Sequence, residues 1–294
     1  MHTATYYIDL LLSGITVGSL YALIAIGYTM VYGILRLINF AHGDIFMMSG
    51  FFMIYVSATL PMAVSIPVVL LMTVLLGVLI ERAAYKPLRS APRMSVMISA
   101  IGVSYLLQNL ATYITGGLAR PYPEISFLKK SFAVGSLNIK IITLLTPVLT
   151  ILLVISLVIF IKHTKTGMAM RAVSKDFDTA RLMGIKVNSV ITVTFIIGSF
   201  LAGVGSILYF TNYGQVSPTI GAMPGLKAFV AAVFGGIGSI PGAVIGGFII
   251  GICESLIKGA GLTTFSDAFT FALLIVILVF KPTGLFGEKS TDKV

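Results

Sequence analysis

Residues 8–35 read IDLLLSGITVGSLYALIAIGYTMVYGIL, and Asp9 is the one charged residue among them. A helix needs about 20 predominantly apolar residues to cross a bilayer, so this stretch is long enough to span one. The apolar run is longer than that of a secretory signal peptide, and residues 1–7 before it carry no Lys or Arg. We therefore expect a first membrane span that is retained in the mature protein.

The rest of the chain has the same apolar character. Of its 294 residues, 57% are hydrophobic and 10% are charged, whereas soluble globular proteins carry about 25% charged residues. This composition excludes a soluble globular fold. It predicts an all-α polytopic membrane protein, in which residues 1–294 form a single transmembrane domain in the lipid bilayer. The net charge of +10 does not indicate a nucleic-acid partner, because the basic residues lie between apolar segments.

Nine apolar segments are candidates for membrane crossings. They cover about 8–35, 41–59, 62–82, 94–115, 139–161, 189–211, 223–239, 241–258 and 264–280. The second, seventh and eighth are short or interrupted by Gly and Pro. The sequence therefore predicts eight or nine transmembrane helices, with broken or re-entrant segments among them.

The Lys and Arg residues predict the orientation. Segments 81–93, 162–188 and 281–294 hold four, six and three of them, and with Arg36 this makes 14 of the 20 in the chain. Loops rich in Lys and Arg stay in the cytoplasm. We expect these segments to be cytoplasmic, with the N-terminus outside and the C-terminus inside.

The two halves of the chain, about 1–115 and 139–294, share an order of segments. Each half has a long span, a break, a short apolar segment and a full span. The first break reads NFAHGD at 39–44, and the second reads GGIGSIPG at 235–242. Paired interruptions are typical of transporters built from internal repeats, so we predict a distant repeat of pattern.

Both breaks offer candidate residues for a translocation pathway. Asn39, His42 and Asp44 lie at the start of a helix and form either a capped loop end at the membrane boundary or a His42–Asp44 proton relay. The second break forms either an ordinary tight turn or a broken helix whose freed backbone groups line a solute path. The candidate pathway residues are Asn39, His42, Gly235, Gly236, Gly238 and Ser239.

The internal loop 162–188 has helical periodicity. Met170, Val173, Phe177 and Ala180 recur at steps of three and four, and Arg171 takes another face. This pattern predicts one amphipathic helix of about four turns, which Gly167 precedes and Gly184 follows. The helix lies on the membrane surface or docks on a partner; the alternative is a solvated basic loop.

Four charged residues lie near the ends of the late spans. We expect Lys227, Glu254, Lys258 and Asp267 to pair with one another, with solute binding as the alternative reading of an intramembrane charge. Beyond these residues, the sequence shows no G-x-x-x-x-G-K-[ST] motif, no nucleophile–base arrangement and no cluster of metal ligands. We therefore expect no enzymatic activity, no cofactor and no metal in this chain.

Several segments resemble the LivH-type branched-chain amino-acid permeases. SLYALIAIGYTMVYG at 19–33 with NFAHG at 39–43 is similar to the opening of that family, and TGMAMRA at 166–172 with ARLMGI at 180–185 is similar to its ATPase-contacting loop. FVAAVFGGIGS at 229–239 and KPTGLFG at 281–287 resemble its Gly-rich segment and its ending. The resemblance covers nearly the whole chain.

This resemblance implies an ABC importer for branched-chain or related small aliphatic amino acids in a bacterial or archaeal inner membrane. The implied partners are a second homologous permease subunit, two ATPase subunits and an extracytoplasmic solute-binding protein. The implied ATPase-coupling helix at 166–185 would use Gly167, Met170, Arg171, Val173, Phe177, Ala180 and Gly184. Urea and amide permeases resemble the same family, and a stand-alone secondary transporter or channel is the remaining alternative.

Overall fold

The fold is an all-α bundle, as predicted. The structure, a computed structural model, describes residues 2–89, 91–134 and 137–287; Lys289 and Lys293, counted above, lie outside the described residues. Within the described residues, seven helical segments are long and apolar enough to cross a membrane. They are Thr5–Leu35, Met62–Leu88, Arg93–Thr115, Ile141–His163, Val187–Tyr213, Ile240–Gly259 and Thr263–Phe280.

The elements follow one another with short connections. The helices are α1 His2–Leu35, α2 His42–Ser57, α3 Met62–Ile80, α4 Arg93–Thr115, α5 Ser126–Lys129, α6 Ile141–His163, α7 Lys165–Lys175, α8 Phe177–Leu182, α9 Val187–Tyr213, α10 Ala222–Gly235, α11 Ile240–Gly259 and α12 Ser266–Phe280. The strands are β1 Arg120–Pro121, β2 Ser131–Val134, β3 Leu137–Lys140 and β4 Gln215–Val216. Strands β1 and β4 pair antiparallel, as do β2 and β3. The central helix is α1, which contacts α6, α9, α10 and α11.

The bundle has two ends. One end, the basic end, carries the segments 81–89, 164–186 and 281–287. There the Arg89 guanidinium donates to Asn188 in the first turn of α9 and pairs with Glu81. The opposite end, the hairpin end, carries both strand pairs. The placement of these ends relative to the membrane stays a prediction.

Helices α2 and α10 are too short to cross a bilayer, and their N-termini meet. They have 16 and 14 residues, and a helix needs about 20 to cross a bilayer. A Cβ atom on Gly43 would lie 2.6 Å from the Gly221 carbonyl oxygen and 3.1 Å from Gly225 Cα. Only glycine lets the two backbones come this close, so these three residues make the junction between the short helices.

This junction lies near the middle of the bundle. The His42 ring, at the start of α2, lies beside Gly27 of α1 and Gly198 of α9. Gly198 comes 11 residues after the start of the 27-residue α9, which is about 16 Å along a helix of about 40 Å. The start of α2 therefore lies inside the bundle, away from both ends of α9, and the interpretation of residues 39–44 as a loop end at the membrane boundary stays a prediction.

The second half repeats the order of helices of the first half, but its helices run in the opposite direction through the bundle. Helix α1 runs from the hairpin end to the basic end, and α9 runs the other way. After each of them the chain turns back, at 36–41 and 214–221, enters a short helix and then forms a full-length one. The counterpart of the first break is thus 214–221 and not 235–242. Opposed repeats with broken helices are common in transporters; the bounds of the two halves stay a prediction.

Candidate translocation and coupling sites

Aromatic rings surround the junction on the side of α1. The rings of Tyr28 and His42 meet edge to face with centroids 4.9 Å apart, and Tyr28 meets Phe229 of α10 at 6.0 Å. His42 is fully buried, and its Nε2 atom has no hydrogen-bond partner among the described residues. A buried polar atom without a partner costs free energy, so this ring occupies a functional or strained position.

Asp44 faces a different neighbour. Its Oδ1 accepts a hydrogen bond of 3.0 Å from Gln108 Nε2 of α4, and the carboxylate is buried. Residues two apart on a helix point in different directions, and His42 packs on α1 while Asp44 packs on α4. The structure therefore does not bring together the predicted His42–Asp44 relay.

Asn39 connects the segment 36–41, where the chain turns back after α1, to the end of α3. The chain continues from α3 into a π-helical turn, Glu81–Tyr85, and the Tyr85 hydroxyl donates a 2.8 Å hydrogen bond to Asn39 Oδ1. Asn39 is buried, and its Nδ2 atom has no partner among the described residues. Single π-helical turns often mark functional sites, and this one holds a candidate pathway residue.

The two predicted breaks adjoin one pocket. Ile38, which precedes the first break, and Ile237 of the second line it together with Tyr28, Tyr32, Phe229 and Ala232. Its volume of about 10 Å³ is near the lower limit for one water molecule. The structure thus brings Asn39 and the glycine-rich segment to the same place, near the basic end.

The glycine-rich segment 235–242 is a tight turn from α10 to α11. Gly236 has φ 109°, a value that side chains other than glycine rarely allow. The Leu285 and Phe286 amides donate to the carbonyls of Phe234 and Gly235, so the tail satisfies backbone groups that the end of α10 leaves free. Ser239 Oγ accepts from the Gly242 amide at 3.2 Å and caps α11. A pathway role for Gly235, Gly236, Gly238 and Ser239 stays a prediction.

The predicted single coupling helix is two helices. Helix α7 begins after Thr164, whose hydroxyl accepts from the Gly167 amide at 3.0 Å, so Gly167 lies inside the helix rather than before it. At Asp176 the backbone is extended, and its carboxylate accepts from the Thr179 amide to start α8. This hydrogen bond lowers the pKa of Asp176 below its usual range. A capping Asp breaks the helix here, which periodicity alone did not indicate.

The apolar stripe of this segment packs on the chain's own bundle. Met170, Val173 and Ala180 are buried, and Phe177 is half-buried, in contacts of α7 and α8 with α1, α6 and α9. The exposed surface includes Met168, Arg171, Leu182 and Met183, and the last two are 87% and 78% exposed. Gly184 follows α8 with φ 81°. Any partner would contact this exposed surface rather than the stripe.

The predicted Lys227–Glu254 pair is confirmed. Lys227 Nζ lies 2.9 Å from Glu254 Oε1 and 2.6 Å from Asp267 Oδ1, and it is buried with Glu254. Glu254 also accepts from the Tyr21 hydroxyl at 2.8 Å and from Lys258 Nζ at 2.5 Å. This cluster joins α10 to α1, α11 and α12.

Comparison with known proteins decides the family. The family model described as branched-chain amino acid transport system, permease component, matches residues 10–278. The chain belongs to this family. The high-affinity branched-chain amino acid transport system permease protein LivH of Salmonella typhimurium is 41% identical over 98% of each chain, and BraD of Pseudomonas aeruginosa is 40% identical over 98% of each chain. No solved structure gives a significant match.

An archaeal relative shows the same full-length similarity. The probable branched-chain amino acid transport permease protein LivH of Methanocaldococcus jannaschii is 29% identical over 92% of this chain and 89% of its own. The predicted family is therefore confirmed. This branched-chain amino acid permease family member is a multi-pass membrane protein.

The sequence prediction missed three features of this permease. The return segment 214–221 carried a signal in Gly214, Pro218 and Gly221, which flank and interrupt a polar stretch. The π-helical turn had no recognisable signal. The partner of Asp44, Gln108, was visible as an amide inside an apolar segment, but its pairing depends on how α2 and α4 pack.

Proposed function

We propose that this chain is a transmembrane permease subunit of an ABC importer that carries branched-chain or related small aliphatic amino acids into the cell. Separate ATPase subunits drive the transport. The observation that carries the proposal is similarity to LivH and BraD permeases along almost the full length of both chains. The two short helices that meet near mid-depth support it, since broken helices typically surround the substrate path of transporters.

The proposed assembly contains a second homologous permease subunit, two ATPase subunits and a solute-binding protein on the outer face. The hairpin end, with the N-terminus of α1, faces outward, and the basic end faces the cytoplasm. The gathering of 81–89, 164–186 and 281–287 at one end supports this orientation, because these segments are rich in Lys and Arg.

We infer the coupling site from the side chains that α7 and α8 leave exposed. The ATPase subunit contacts Met168, Arg171, Leu182 and Met183, which project from the basic end. Met170, Val173, Phe177 and Ala180 hold α7 and α8 on the bundle and transmit the movement of the ATPase to α1, α6 and α9. Packed elements move together because interiors are as dense as organic crystals.

The solute path passes the junction of α2 and α10. When the ATPase subunit pulls α7 and α8, it displaces α1 and α9 at the basic end of the bundle. His42 lies between these two helices. The pocket between Ile38 and Ile237 then widens toward the cytoplasm. Asn39, His42 and the glycines of 235–238 adjoin this route, which alternates its opening between the two sides.

Uptake of radiolabelled leucine into proteoliposomes tests the proposal. The chain is reconstituted with the products of its neighbouring genes, with ATP inside and binding protein outside, and Leu182→Asp is compared with Leu182→Met. We expect ATP-dependent uptake that Leu182→Asp lowers at least about tenfold, since a central interface residue contributes about 2 kcal/mol or more. Leu182→Met keeps the apolar contact and retains uptake.

Three results would contradict parts of this proposal. Uptake by this chain alone without ATP would identify a stand-alone transporter or channel. Uptake of radiolabelled urea in place of leucine would assign a urea or amide permease. Indifference to Leu182→Asp would remove the coupling role from α8.

A further inference from the structure

The π-helical turn at the end of α3 holds a buried carboxylate. Glu81, the first residue of this turn, is fully buried. The Arg89 guanidinium pairs with Glu81 Oε1, and the Thr192 hydroxyl donates a hydrogen bond of 3.1 Å to Glu81 Oε2. Arg89 also donates to Asn188. Thr192 and Asn188 lie in the first two turns of α9, so Glu81 is bonded to the start of that helix both directly and through Arg89.

The last residue of the same turn contacts the candidate solute path. Tyr85 lies four residues after Glu81, and residues four apart are neighbours on the surface of a helix. The buried Tyr85 hydroxyl donates a hydrogen bond of 2.8 Å to Asn39 Oδ1, and the Tyr85 ring lies 5.2 Å from the ring of Phe195 on α9. One turn of five residues therefore connects the start of α9 to the segment 36–41.

Helix α9 follows α8 after a connection of four residues, 183–186. Backbone hydrogen bonds run through this connection: the Ile185 amide donates to the Ala180 carbonyl at 3.1 Å, and the Val187 amide donates to the Ile185 carbonyl at 2.9 Å. Densely packed elements move together, and α8 also packs on α9. Asn188 and Thr192 are thus among the first α9 side chains that a displacement of α8 moves.

A contact that only held α3 on α9 would not require these polar groups. Replacing a buried ion pair by apolar side chains often leaves a protein equally stable or more stable, yet this chain buries the Glu81 carboxylate. The π-helical turn is a local departure from the α-helix that is common at functional sites. Among the described residues, Arg89 Nε and Asn39 Nδ2 have no hydrogen-bond partner. The same groups therefore have the capacity to form a second arrangement, as a network that carries coupling between sites requires.

We propose that Glu81 and Tyr85 are positioning residues of the transport cycle, which move Asn39 in step with the start of α9. The inference rests on the proposed transport function and adds the route by which a displacement of α8 reaches the solute path. When the ATPase subunit displaces α8, the start of α9 moves the π-helical turn through Glu81. The Tyr85 hydroxyl then moves Asn39, which adjoins the pocket between the two breaks.

Three substitutions that preserve side-chain shape test the proposal in the assembled transporter. Tyr85→Phe removes the hydroxyl that donates to Asn39, and Thr192→Val removes the hydroxyl that donates to Glu81. Thr194→Val is the matched control, because the buried Thr194 hydroxyl donates at 2.9 Å to a carbonyl of its own helix. Each purified complex is reconstituted in proteoliposomes. Leucine uptake is measured with binding protein outside, and basal ATP hydrolysis per complex is measured without binding protein.

We expect Tyr85→Phe and Thr192→Val each to lower leucine uptake at least about fivefold, the lower limit of typical couplings between sites, while basal ATP hydrolysis stays within about twofold. Thr194→Val keeps both activities. The double variant of Tyr85 and Thr192 loses no more uptake than the more impaired single variant, because the two hydroxyls act in one connection. Independent effects would multiply instead.

Four results would overturn the proposal. Wild-type uptake in either Tyr85→Phe or Thr192→Val would show that Asn39 moves by another route. A parallel fall of uptake and basal hydrolysis would identify a contact that only holds the fold. Losses that multiply in the double variant would identify two independent contacts. A loss of uptake in Thr194→Val as large as in Thr192→Val would show that the contact with Glu81 is not what matters.

Failure of the proposed function is read from the wild type, which is measured first with leucine and with urea. ATP-dependent uptake of urea in place of leucine removes the amino-acid substrate, and the variants are then judged on urea. Wild-type uptake of leucine with variants that keep it retains the function and removes the positioning role. Uptake by the wild type without ATP removes both.

Discussion

His42 occupies a space that two glycines provide. Gly27 of α1 and Gly198 of α9 face its ring, and the Tyr28 ring covers its edge. The imidazole therefore fixes the start of α2 between two long helices near mid-depth. A residue with this position links any shift between α1 and α9 to the junction of the short helices.

Gly27→Ala should destabilise the subunit, because the added methyl group overlaps the His42 imidazole. Overpacking of this kind costs about 1–3 kcal/mol. Thermal unfolding of the purified transporter in detergent measures it. Gly102→Ala is the matched control: its Cβ meets nothing within 4 Å, and Ala favours a helix over Gly by up to about 1 kcal/mol. Equal stability of the two variants would contradict the packing described for His42.

Helix α10 is held by charge as well as by packing. It is too short to span the membrane, and its N-terminus rests on glycine contacts that provide little apolar area. Lys227 compensates by pairing with Glu254 of α11 and Asp267 of α12. The charge cluster thus positions the short helix against the junction.

Lys227→Met should destabilise the subunit by about 1–3 kcal/mol, since buried Glu254 loses one of its two ammonium partners and keeps only Lys258. Denaturant titration of the purified permease provides the measurement. Lys258→Met serves for comparison, because Lys258 is 41% exposed and Lys227 only 7%, so solvent screens more of the attraction between Lys258 and Glu254. A larger loss for Lys258→Met than for Lys227→Met would show that the buried pair does not hold α10.

At the scale of the whole molecule, α7 and α8 have two surfaces with different tasks. The buried one joins them to α1, α6 and α9, and the exposed one is the surface on which we propose that the ATPase subunit docks. A substitution on either surface lowers transport, so loss of uptake alone does not tell them apart. Stability and assembly must be measured separately.

Phe177→Asp should lower the melting temperature of the permease itself, because a carboxylate replaces a half-buried ring. Leu182→Asp should change the melting temperature by no more than about 1 °C, because substitutions at exposed positions usually change the free energy of unfolding by about 0.5 kcal/mol or less. The same substitution should abolish co-purification of the ATPase subunits. Unfolding of the permease alone and affinity purification of the complex are the two readouts. Normal co-purification with Leu182→Asp would place the ATPase contact elsewhere.

Local properties of the chain were enough to predict its class, its family and most of its helices. The lengths of the apolar runs identified the membrane segments, because every helix that crosses the hydrocarbon core of a bilayer needs a similar number of apolar residues. The Lys227–Glu254 pair was also predictable, since two charges in apolar segments need partners. Of the candidate site residues, Gly184 was expected to follow the coupling helix, and it follows α8.

Tertiary structure decided the depth of His42 in the bundle, the counterpart of the return segment 36–41 and the surface that α7 and α8 leave exposed. None of these is a property of one segment. Depth depends on which helices flank His42, and the correspondence between 36–41 and 214–221 depends on the contact of Gly43 with Gly221 and Gly225. The sequence by itself determined which segments prefer the bilayer. Packing between distant segments decided which residues contact one another. The energy of such a contact depends on neighbours from other helices, and periodicity within one helix does not specify those neighbours.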